Sequence, residues 1–458
     1  MMLWTREEAA EATGGAARGD WPGFEDLQID SRLAKPGDFF VALTAARDGH
    51  DFARAAFDAG ASAALVSRVP EGLEDAPLLL VDDVQAALEA LGRARRAALG
   101  ARVIAVTGSV GKTSTKDMLH RALAPQARVH AAVASFNNHW GVPITLARAP
   151  KDAEALVIEI GMNAPGEIAP LSRQAAPHVT LVTAIAPAHI GAFGTLDAIA
   201  EEKASIVQGL RRGGTAVMPA DQPTAGILAG AARAQGVRLT TFGRLGGWRV
   251  EGIQSGPGAV ALEAETPVGH IGLRLGVPGT HFASNALGAL AAVDAAGFDA
   301  RVAASALAGW TPTEGRGTRE RVEVPGGAVD LWDDAFNANP ASLEAALGVL
   351  AAQSPRGRRV AILGDMLELG EGEAAMHAAL ADLPAMGAVG AVHTVGPLMA
   401  HLAAALPEAR RGRHFDDAAA AAAAAGDLVA PGDAVLVKGS KGSHVARVVP
   451  AIRALGGR

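Results

Sequence analysis

One stretch of the chain constrains its fold more than any other: a strand, a glycine turn and a helix predicted to follow one another. The strand is RVIAVT, the turn is GSVGKT, and the helix continues through STKDML. Glycines allow backbone N–H groups to close around phosphate oxygens, and a helix N-terminus adds positive potential. The lysine would reach the β- and γ-phosphates, and the threonine hydroxyl can ligate Mg²⁺. The pattern predicts an ATP-binding phosphate loop made of Gly108, Ser109, Val110, Gly111, Lys112, Thr113 and Ser114.

The alternative is a glycine turn before an ordinary helix, but strand, GKT and helix occur in register, which favours the phosphate loop. The longer pattern GxxxxGK[ST] would need glycine at Val106, and only the shorter GxxGKT is present. This difference argues against a GTPase or a kinase-like ATPase. It favours a family with a shortened loop.

Length and charge narrow the class of protein. A chain of 458 residues with 49% apolar content can bury large cores, and its length suggests about three domains. A net charge of −7 without a long basic run gives no support for a nucleic-acid partner. The chain has no cysteine, which excludes disulfides and thiolate-bound metal. Since neither a signal-peptide layout nor an apolar run of ~20 residues is found, we expect a cytoplasmic protein without membrane insertion.

Short strands alternate with Ala-rich helical stretches along three blocks of sequence. In the second block ALVIEI, VTLVTAI and TAVMP alternate with helical stretches, which predicts a doubly wound, mainly parallel sheet. Segments between Trp248 and Leu275 predict an antiparallel insertion, and the linker-like TPTEGRG follows a helix. The third block again shows an open α/β pattern. We predict an α/β protein with domains at residues 1–99, 100–311 (the phosphate-loop domain) and 312–458 (Rossmann-like).

Two candidate metal ligands lie where predicted strands of the second block end. Glu159 lies at the end of ALVIEI, and His189 lies just past VTLVTAI. Ligands of open α/β sheets collect beyond the carboxyl ends of the strands, so both side chains would face the cleft of the phosphate loop. Together with Thr113 they could serve Mg²⁺ beside the ATP phosphates. Taken singly, Glu159 is at least as well explained as a paired strand-end charge and His189 as a capped loop histidine.

Lys203 has an unexpected position on a predicted helix. The apolar side chains of this helix form one stripe, made of Leu196, Ile199, Val207 and Leu210. Lys203 falls on that stripe. Because burying an unpaired ammonium is costly, the side chain is either snorkelling to water or held for a purpose.

Taken together, these motifs resemble those of the Mur ligase family. TGSVGKTSTK, VIEIGMNAPGEI, AHIGAFGTLDAIAEEKASI and PGTHFASNALGAL occur in the family's order and approximate spacing. The resemblance spans nearly the whole chain. It implies the family's three-domain architecture and an ATP- and Mg²⁺-dependent ligase that forms an amide through an acyl phosphate. It also implies that Lys203 is carbamylated and helps to bind magnesium.

Within that family, several segments are most similar to the branch that joins D-alanyl-D-alanine to UDP-N-acetylmuramoyl-tripeptide. They are IDSRLAKPGDFFVAL with DGHDF, SFNNHWGVP, DDAFNANPASL and LGDMLELG. The Asp-Asn-Pro-Arg motif of the diaminopimelate-adding branch is absent from the sequence. The resemblance implies that the partners are this tripeptide, bound by residues 1–99, and D-alanyl-D-alanine. We expect a monomer, although the sequence itself does not give the oligomeric state. Phe336 stands where the family usually has tyrosine, and Trp140 replaces a smaller aliphatic residue.

The resemblance also implies binding positions beyond the phosphate loop. For the peptide substrates they are Asp30, Ser31, Arg32, His50, Asn137, Asn138, Asn337 and Asn339. For ATP they are Asn285 near the adenine, Asp334 near the ribose, and Arg316 and Lys438 near the phosphates. Simpler structural interpretations remain open, among them a surface pair for Asp30 and Arg32 with Ser31 capping a turn, tight-turn roles for Asn337 and Asn339, and interdomain salt bridges for Arg316 and Lys438.

Two other functions remain open from the sequence. One is a related Mur or folylpolyglutamate-type ligase with a different amino-acid substrate, which uridine-nucleotide dependence would distinguish. The other is a binding module that uses the phosphate loop as a switch. The candidate ligands Glu159, His189 and Lys203 argue against a switch, because a switch needs only one metal site.

Overall fold

The computed structural model describes residues 2–133 and 135–457, which form four β-sheets flanked by helices. The first block carries a five-stranded sheet that is parallel except at one edge. In spatial order its strands are Ala16–Arg18, Leu78–Leu80, Ala63–Val66, Asp38–Val41 and Asp26–Gln28. Its helices are Arg6–Thr13, Ala53–Asp58 and Val84–Ala98, and a two-stranded sheet pairs Trp4–Thr5 with Gly23–Phe24.

The second block is built on a nine-stranded sheet. Its parallel part contains, in spatial order, Val129–Ala131, Ala155–Glu159, Arg102–Thr107, Val179–Val182, Thr215–Pro219, Arg238–Gly243 and Trp248–Ser255. The antiparallel strands Val260–Thr266 and Gly269–Leu275 complete it. The predicted parallel sheet and antiparallel insertion are confirmed, and they form one continuous sheet.

Helices cover both faces of this central sheet, which is why its parallel strands read as continuous apolar runs. Along Arg102–Thr107, Ile104 and Val106 pack on one face, whereas Val103 and Ala105 pack on the other. The helices are Lys112–Leu123, Gly141–Ala147, Ile168–Ala175, Ile190–Phe193, Leu196–Ala204, Ala225–Ala234, Thr280–Ala295 and Ala300–Leu307. The prediction that the helix carrying Lys203 continues to Leu210 is wrong for its second half. The α-helix ends at Ala204, and a 3₁₀ segment, Ser205–Gly209, follows.

The third block carries a six-stranded sheet that is parallel except for its first strand. In spatial order the strands are Thr318–Val324, Gly327–Asp334, Ala434–Lys438, Arg359–Gly364, Ala391–Val395 and Arg411–Phe415. Its α-helices are Pro340–Ala351, Glu373–Ala378, Met399–Ala405, Ala418–Ala423, Ala425–Leu428 and Val448–Arg453. The predicted open α/β pattern of this block is confirmed. Across residues 2–133 and 135–457, each helix is too short or too polar to span a bilayer.

The first block docks on the second through the helix Val84–Ala98. Its buried Arg96 donates from Nε to the carbonyl oxygen of Ala175 at 2.8 Å. The indole of Trp4 donates to the carbonyl oxygen of Ala147 at 2.8 Å. These contacts hold the first block against the C-terminal ends of the helices Gly141–Ala147 and Ile168–Ala175.

Candidate active site

The phosphate loop is shaped by two glycines with left-handed backbone. Gly108 has φ +151° and Gly111 has φ +82°. A Cβ atom on Gly108 would lie 1.9 Å from the Thr183 hydroxyl, and one on Gly111 would lie 2.7 Å from the amide nitrogen of Asn285. The loop therefore needs glycine for its conformation and also for its close packing. Lys112, the first residue of the helix, donates from Nζ to the carbonyl oxygen of Gly108 at 2.7 Å.

A line of hydrogen bonds joins this helix to the end of the neighbouring strand. The Thr113 hydroxyl donates to Oε2 of Glu159 at 2.9 Å, and the Asn137 amide donates to Oε1 at 2.8 Å. Glu159 is only 1% exposed. The structure thus brings the predicted Thr113 and Glu159 together, and it adds Asn137 as the side chain that orients the carboxylate. Asn138 instead accepts from the backbone N–H groups of Trp140 and Gly141 and holds its own loop.

Two lysines lie near each other in this region, the half-buried Lys112 on the cleft and the buried Lys203. Burial lowers the pKa of Lys112, while the nearby charge of Glu159 opposes the shift. Burial lowers the pKa of Lys203 well below its usual value, and the charge of Lys112 acts in the same direction. Lys203 is 1% exposed, on the apolar stripe as predicted, and within the described chain no hydrogen bond or ion pair holds its ammonium. The simple snorkelling interpretation is therefore wrong for Lys203.

His189 lies on the wall of the cleft, but its partner comes from the third block. Its Nδ1 lies 2.5 Å from Oε2 of Glu368, and both residues have left-handed backbone, with φ 59° and 66°. Burial lowers the pKa of His189, and Glu368 opposes this shift. The sequence analysis did not identify Glu368 as a site residue. The one signal that could have pointed to it is its place in the family-like segment LGDMLELG.

The third block contributes a second polar group to the cleft. Lys438 is 2% exposed, and its Nζ lies 2.8 Å from Oδ2 of Asp334 and donates to the carbonyl oxygen of Asn337 at 2.9 Å. Burial raises the pKa of Asp334, and the ammonium of Lys438 opposes that shift. Asn339 caps the helix Pro340–Ala351 by accepting from the N–H of Ser342. Lys438 is therefore paired within its own block.

Arg316 reaches from the linker into the second block. Its Nη2 donates to the Ser135 hydroxyl at 2.8 Å, and its guanidinium carbon lies 3.9 Å from the centre of the Phe336 ring. The Ser135 hydroxyl is 3.4 Å from that of Thr113. Arg316 thus lies at the edge of the phosphate loop on an aromatic platform.

The contact between Arg316 and Phe336 leads to a testable prediction for Phe336, which stands where the family usually has tyrosine. If the ring face is what holds Arg316, Phe336→Tyr should leave the KM for ATP unchanged, whereas Phe336→Ala should raise it about tenfold. Steady-state kinetics with ATP as the varied substrate measures both. A tyrosine variant as impaired as the alanine variant would contradict this role of the ring.

The helix Thr280–Ala295 supplies another part of the wall. Asn285 is 8% exposed and packs with its amide against Gly111. The neighbouring His281 lies against Phe282, with ring centres 4.1 Å apart and ring planes tilted by 43°. Burial and the charge of Lys438 lower the pKa of His281 to about 4, so the imidazole is neutral at physiological pH. Asn285 is thus part of the cleft, beside the phosphate loop.

The predicted uridine-side residues lie in the first block, outside this cleft. Asp30 and Arg32 form an exposed pair at 2.6 Å, and Asp30, not Ser31, caps the short 3₁₀ turn. His50 is 3% exposed; its Nε2 accepts from the N–H of Ser67 at 2.9 Å, and its Nδ1 lies 2.6 Å from Asp48. Both ring nitrogens of His50 are thus engaged within the block.

The cleft as a whole has a volume of about 870 Å³ and lies between the second and third blocks. Of the predicted residues, the phosphate loop from Ser109 to Ser114 lines it, together with Asn137, Asn138, Glu159, His189, Asn285, Arg316, Asp334, Asn337, Asn339 and Lys438. Gly108 and Lys203, which the structure describes, are not among the lining residues. Over residues 2–133 and 135–457 there is no cluster of three or more His, Cys, Asp or Glu suited to a metal ion.

Comparison with known proteins assigns the chain to a family. A model described as Mur ligase middle domain matches residues 106–293, and one described as Mur ligase, glutamate ligase domain matches residues 320–441. The chain is 34% identical to UDP-N-acetylmuramoyl-tripeptide–D-alanyl-D-alanine ligase of Bacillus subtilis (strain 168), with 98% of each protein covered.

Two solved structures extend this likeness to the whole fold. MurF from Acinetobacter baumannii matches with a TM-score of 0.86 and 29% identity, covering 99% of both chains. MurF ligase from Thermotoga maritima, solved in complex with ADP, matches with a TM-score of 0.79 and 26% identity over 94% of this chain and 98% of that one. The expected three-domain α/β architecture is confirmed, and the chain belongs to the Mur ligase family.

Proposed function

We propose that this enzyme joins D-alanyl-D-alanine to UDP-N-acetylmuramoyl-tripeptide, with conversion of ATP to ADP and phosphate, in the synthesis of the peptidoglycan precursor. The observation that carries the proposal is the full-length likeness to a ligase of that name, combined with a phosphate loop that opens into a cleft between two blocks. A folylpolyglutamate-type ligase is not favoured, since the likeness to the named ligase includes the first block.

The reaction would proceed in two steps within the cleft. The terminal carboxylate of the tripeptide attacks the γ-phosphorus of ATP, which forms an acyl phosphate and releases ADP. The amine of D-alanyl-D-alanine then attacks the acyl carbon, and phosphate leaves with formation of the amide. Lys112, the N–H groups of the loop and Arg316 would offset the charge that develops on the transferred phosphoryl group. Positioning and electrostatics are therefore the main contributions of the protein.

Magnesium fits the donors beside the phosphate loop. The Thr113 hydroxyl and the Glu159 carboxylate lie 2.9 Å apart, and both are oxygen ligands of the kind that Mg²⁺ prefers. We expect these two residues to hold one ion, and His189 with carbamylated Lys203 to hold a second. A bound Mg²⁺ supplies positive charge to the phosphoryl oxygens.

The architecture supports further parts of the proposal. The three larger sheets span Ala16–Leu80, Arg102–Leu275 and Thr318–Lys438, which is consistent with domains at residues 1–99, 100–311 and 312–458. We expect the enzyme to act as a monomer. We place the reaction in the cytoplasm, where ATP and UDP-linked sugars are made.

A phosphate-release assay tests the function directly. Release from ATP should require both UDP-N-acetylmuramoyl-tripeptide and D-alanyl-D-alanine, because the acyl phosphate forms on one and is consumed by the other. Omitting each component in turn provides the control, and mass spectrometry identifies the pentapeptide product. Equal turnover with ATP alone would contradict the proposal.

A further inference from the structure

A second cavity, of about 470 Å³, lies where the first and second blocks meet. One wall is the helix Val84–Ala98, and the other is the helix Ile168–Ala175 with the loops around it. Leu171 and Pro170 supply apolar surface. The polar lining consists of Glu89, Arg93, His139, Glu167, Arg173 and Gln174.

This cavity adjoins the reaction cleft. Glu167 lines both spaces, and the consecutive residues Asn138 and His139 line the cleft and the cavity, respectively. The two spaces are therefore neighbours that share the Glu167 side chain and the chain segment at Asn138 and His139. A substrate bound in the cleft can therefore place a side chain in the cavity.

The ionised groups of the lining are two guanidiniums and two carboxylates, which balance in charge. Arg93 makes one contact of 3.3 Å with Glu89, and Nη2 of Arg173 donates to Gln208 at 2.5 Å. A guanidinium has five N–H donors, so most donors of both arginines remain for a ligand. Glu167 accepts the N–H of Asn163 on Oε2 at 2.7 Å, which leaves its other oxygen for a cation.

We propose that this cavity receives the side-chain end of the third residue of the tripeptide and selects an end that carries both an ammonium and a carboxylate, as in diaminopimelate. The inference rests on the proposed function, in which the peptide runs from the first block to the phosphate loop. The cavity lies at the junction that this path must cross, and the reacting carboxylate belongs to the same third residue.

The net charge of the side-chain end distinguishes diaminopimelate from lysine in this cavity. The diaminopimelate end is neutral overall, and its carboxylate can accept from Arg93 and Arg173 while its ammonium reaches Glu167. A lysine end brings only an ammonium, which adds an uncompensated positive charge beside two guanidiniums. The cavity therefore favours the zwitterionic end.

The test compares UDP-N-acetylmuramoyl-tripeptides that end in diaminopimelate or in lysine. The wild type should show a kcat/KM about tenfold higher or more for the diaminopimelate substrate. Arg93→Gln and Arg173→Gln should each raise the KM for that substrate about tenfold and leave its kcat and the KM for ATP unchanged. Neither variant should weaken use of the lysine substrate, and Arg173→Glu should improve it.

Arg233→Gln provides the matched control, because Arg233 is an exposed arginine of the second block that lines neither the cleft nor the cavity. Melting temperatures confirm that the variants are folded. Equal use of both tripeptides by the wild type, or equal losses on both in the arginine variants, would overturn the cavity assignment while the proposed function stands. A wild type that ligates neither tripeptide would instead remove the proposed function, and this inference with it.

Discussion

Lys203→Arg should lose turnover by about 100-fold or more while ATP still binds through the phosphate loop. Lys203 is 1% exposed on an apolar stripe, and in the described chain its ammonium has no hydrogen-bond or ion-pair partner. When the neutral amine attacks CO₂ and loses a proton, the product is a carbamate anion, which replaces the buried positive charge with two oxygen ligands. A guanidinium keeps its charge and forms no such carbamate.

Two measurements separate the carbamate from a bare lysine. Wild type incubated with ¹³C-labelled bicarbonate should show an additional carbonyl signal by NMR, and Lys203→Arg should lack it. Lys203→Ala should also lose most turnover, and short carboxylic acids should restore part of it by occupying the vacated position. Lys151→Arg, at an exposed lysine paired with Glu8, is the control. Near-normal turnover of Lys203→Arg would be enough to reject the carbamate.

Lys112→Ala should reduce ligation by about 100- to 1,000-fold and leave the fold intact. The Lys112 ammonium lies at the helix N-terminus with a carbonyl oxygen 2.7 Å away, so it is poised over the loop that would hold the phosphates. Without it the loop retains its N–H groups but loses the mobile charge that follows the transferred phosphoryl group. Phosphate release at saturating ATP measures the loss.

The control for this variant is Lys151→Ala, which removes an exposed lysine that does not line the cleft. Circular dichroism and the melting temperature should be close to wild type for both variants, since the Lys112 side chain points into the cleft and not into a core. An unchanged rate for Lys112→Ala at saturating ATP would refute its assignment to the phosphates.

The elements nearest the phosphate loop could be predicted from the sequence because their signals are local. The strand Arg102–Thr107 was predicted to the residue, because an apolar run and a glycine mark its borders. The helix was predicted to follow GSVGKT, and it begins at Lys112 within that segment. The apolar stripe around Lys203 was also predicted from helical periodicity. The end of that helix was not, because residues Ser205–Gly209 continue as a 3₁₀ segment with the same face buried.

Contacts between distant parts of the chain had no such signal. Glu368 meets His189 across 179 positions of sequence, and Arg316 meets Ser135 across 181. Each pair depends on how the third block lies against the second. The exposed pair of Asp30 and Arg32 illustrates the opposite case, because two residues separated by one position meet through a local turn.

The sequence by itself determined the phosphate loop, the order of strands and helices, and the apolar position of Lys203, because each follows from residues that are close together in sequence. Only the tertiary structure decided that Thr113 and Asn137 both bind Glu159, that Lys438 pairs with Asp334, and that Lys203 has no partner among the residues that the structure describes. The physical reason is that hydrogen bonds and desolvation depend on which surfaces pack together, and packing brings together side chains whose separation in sequence carries no information about their distance.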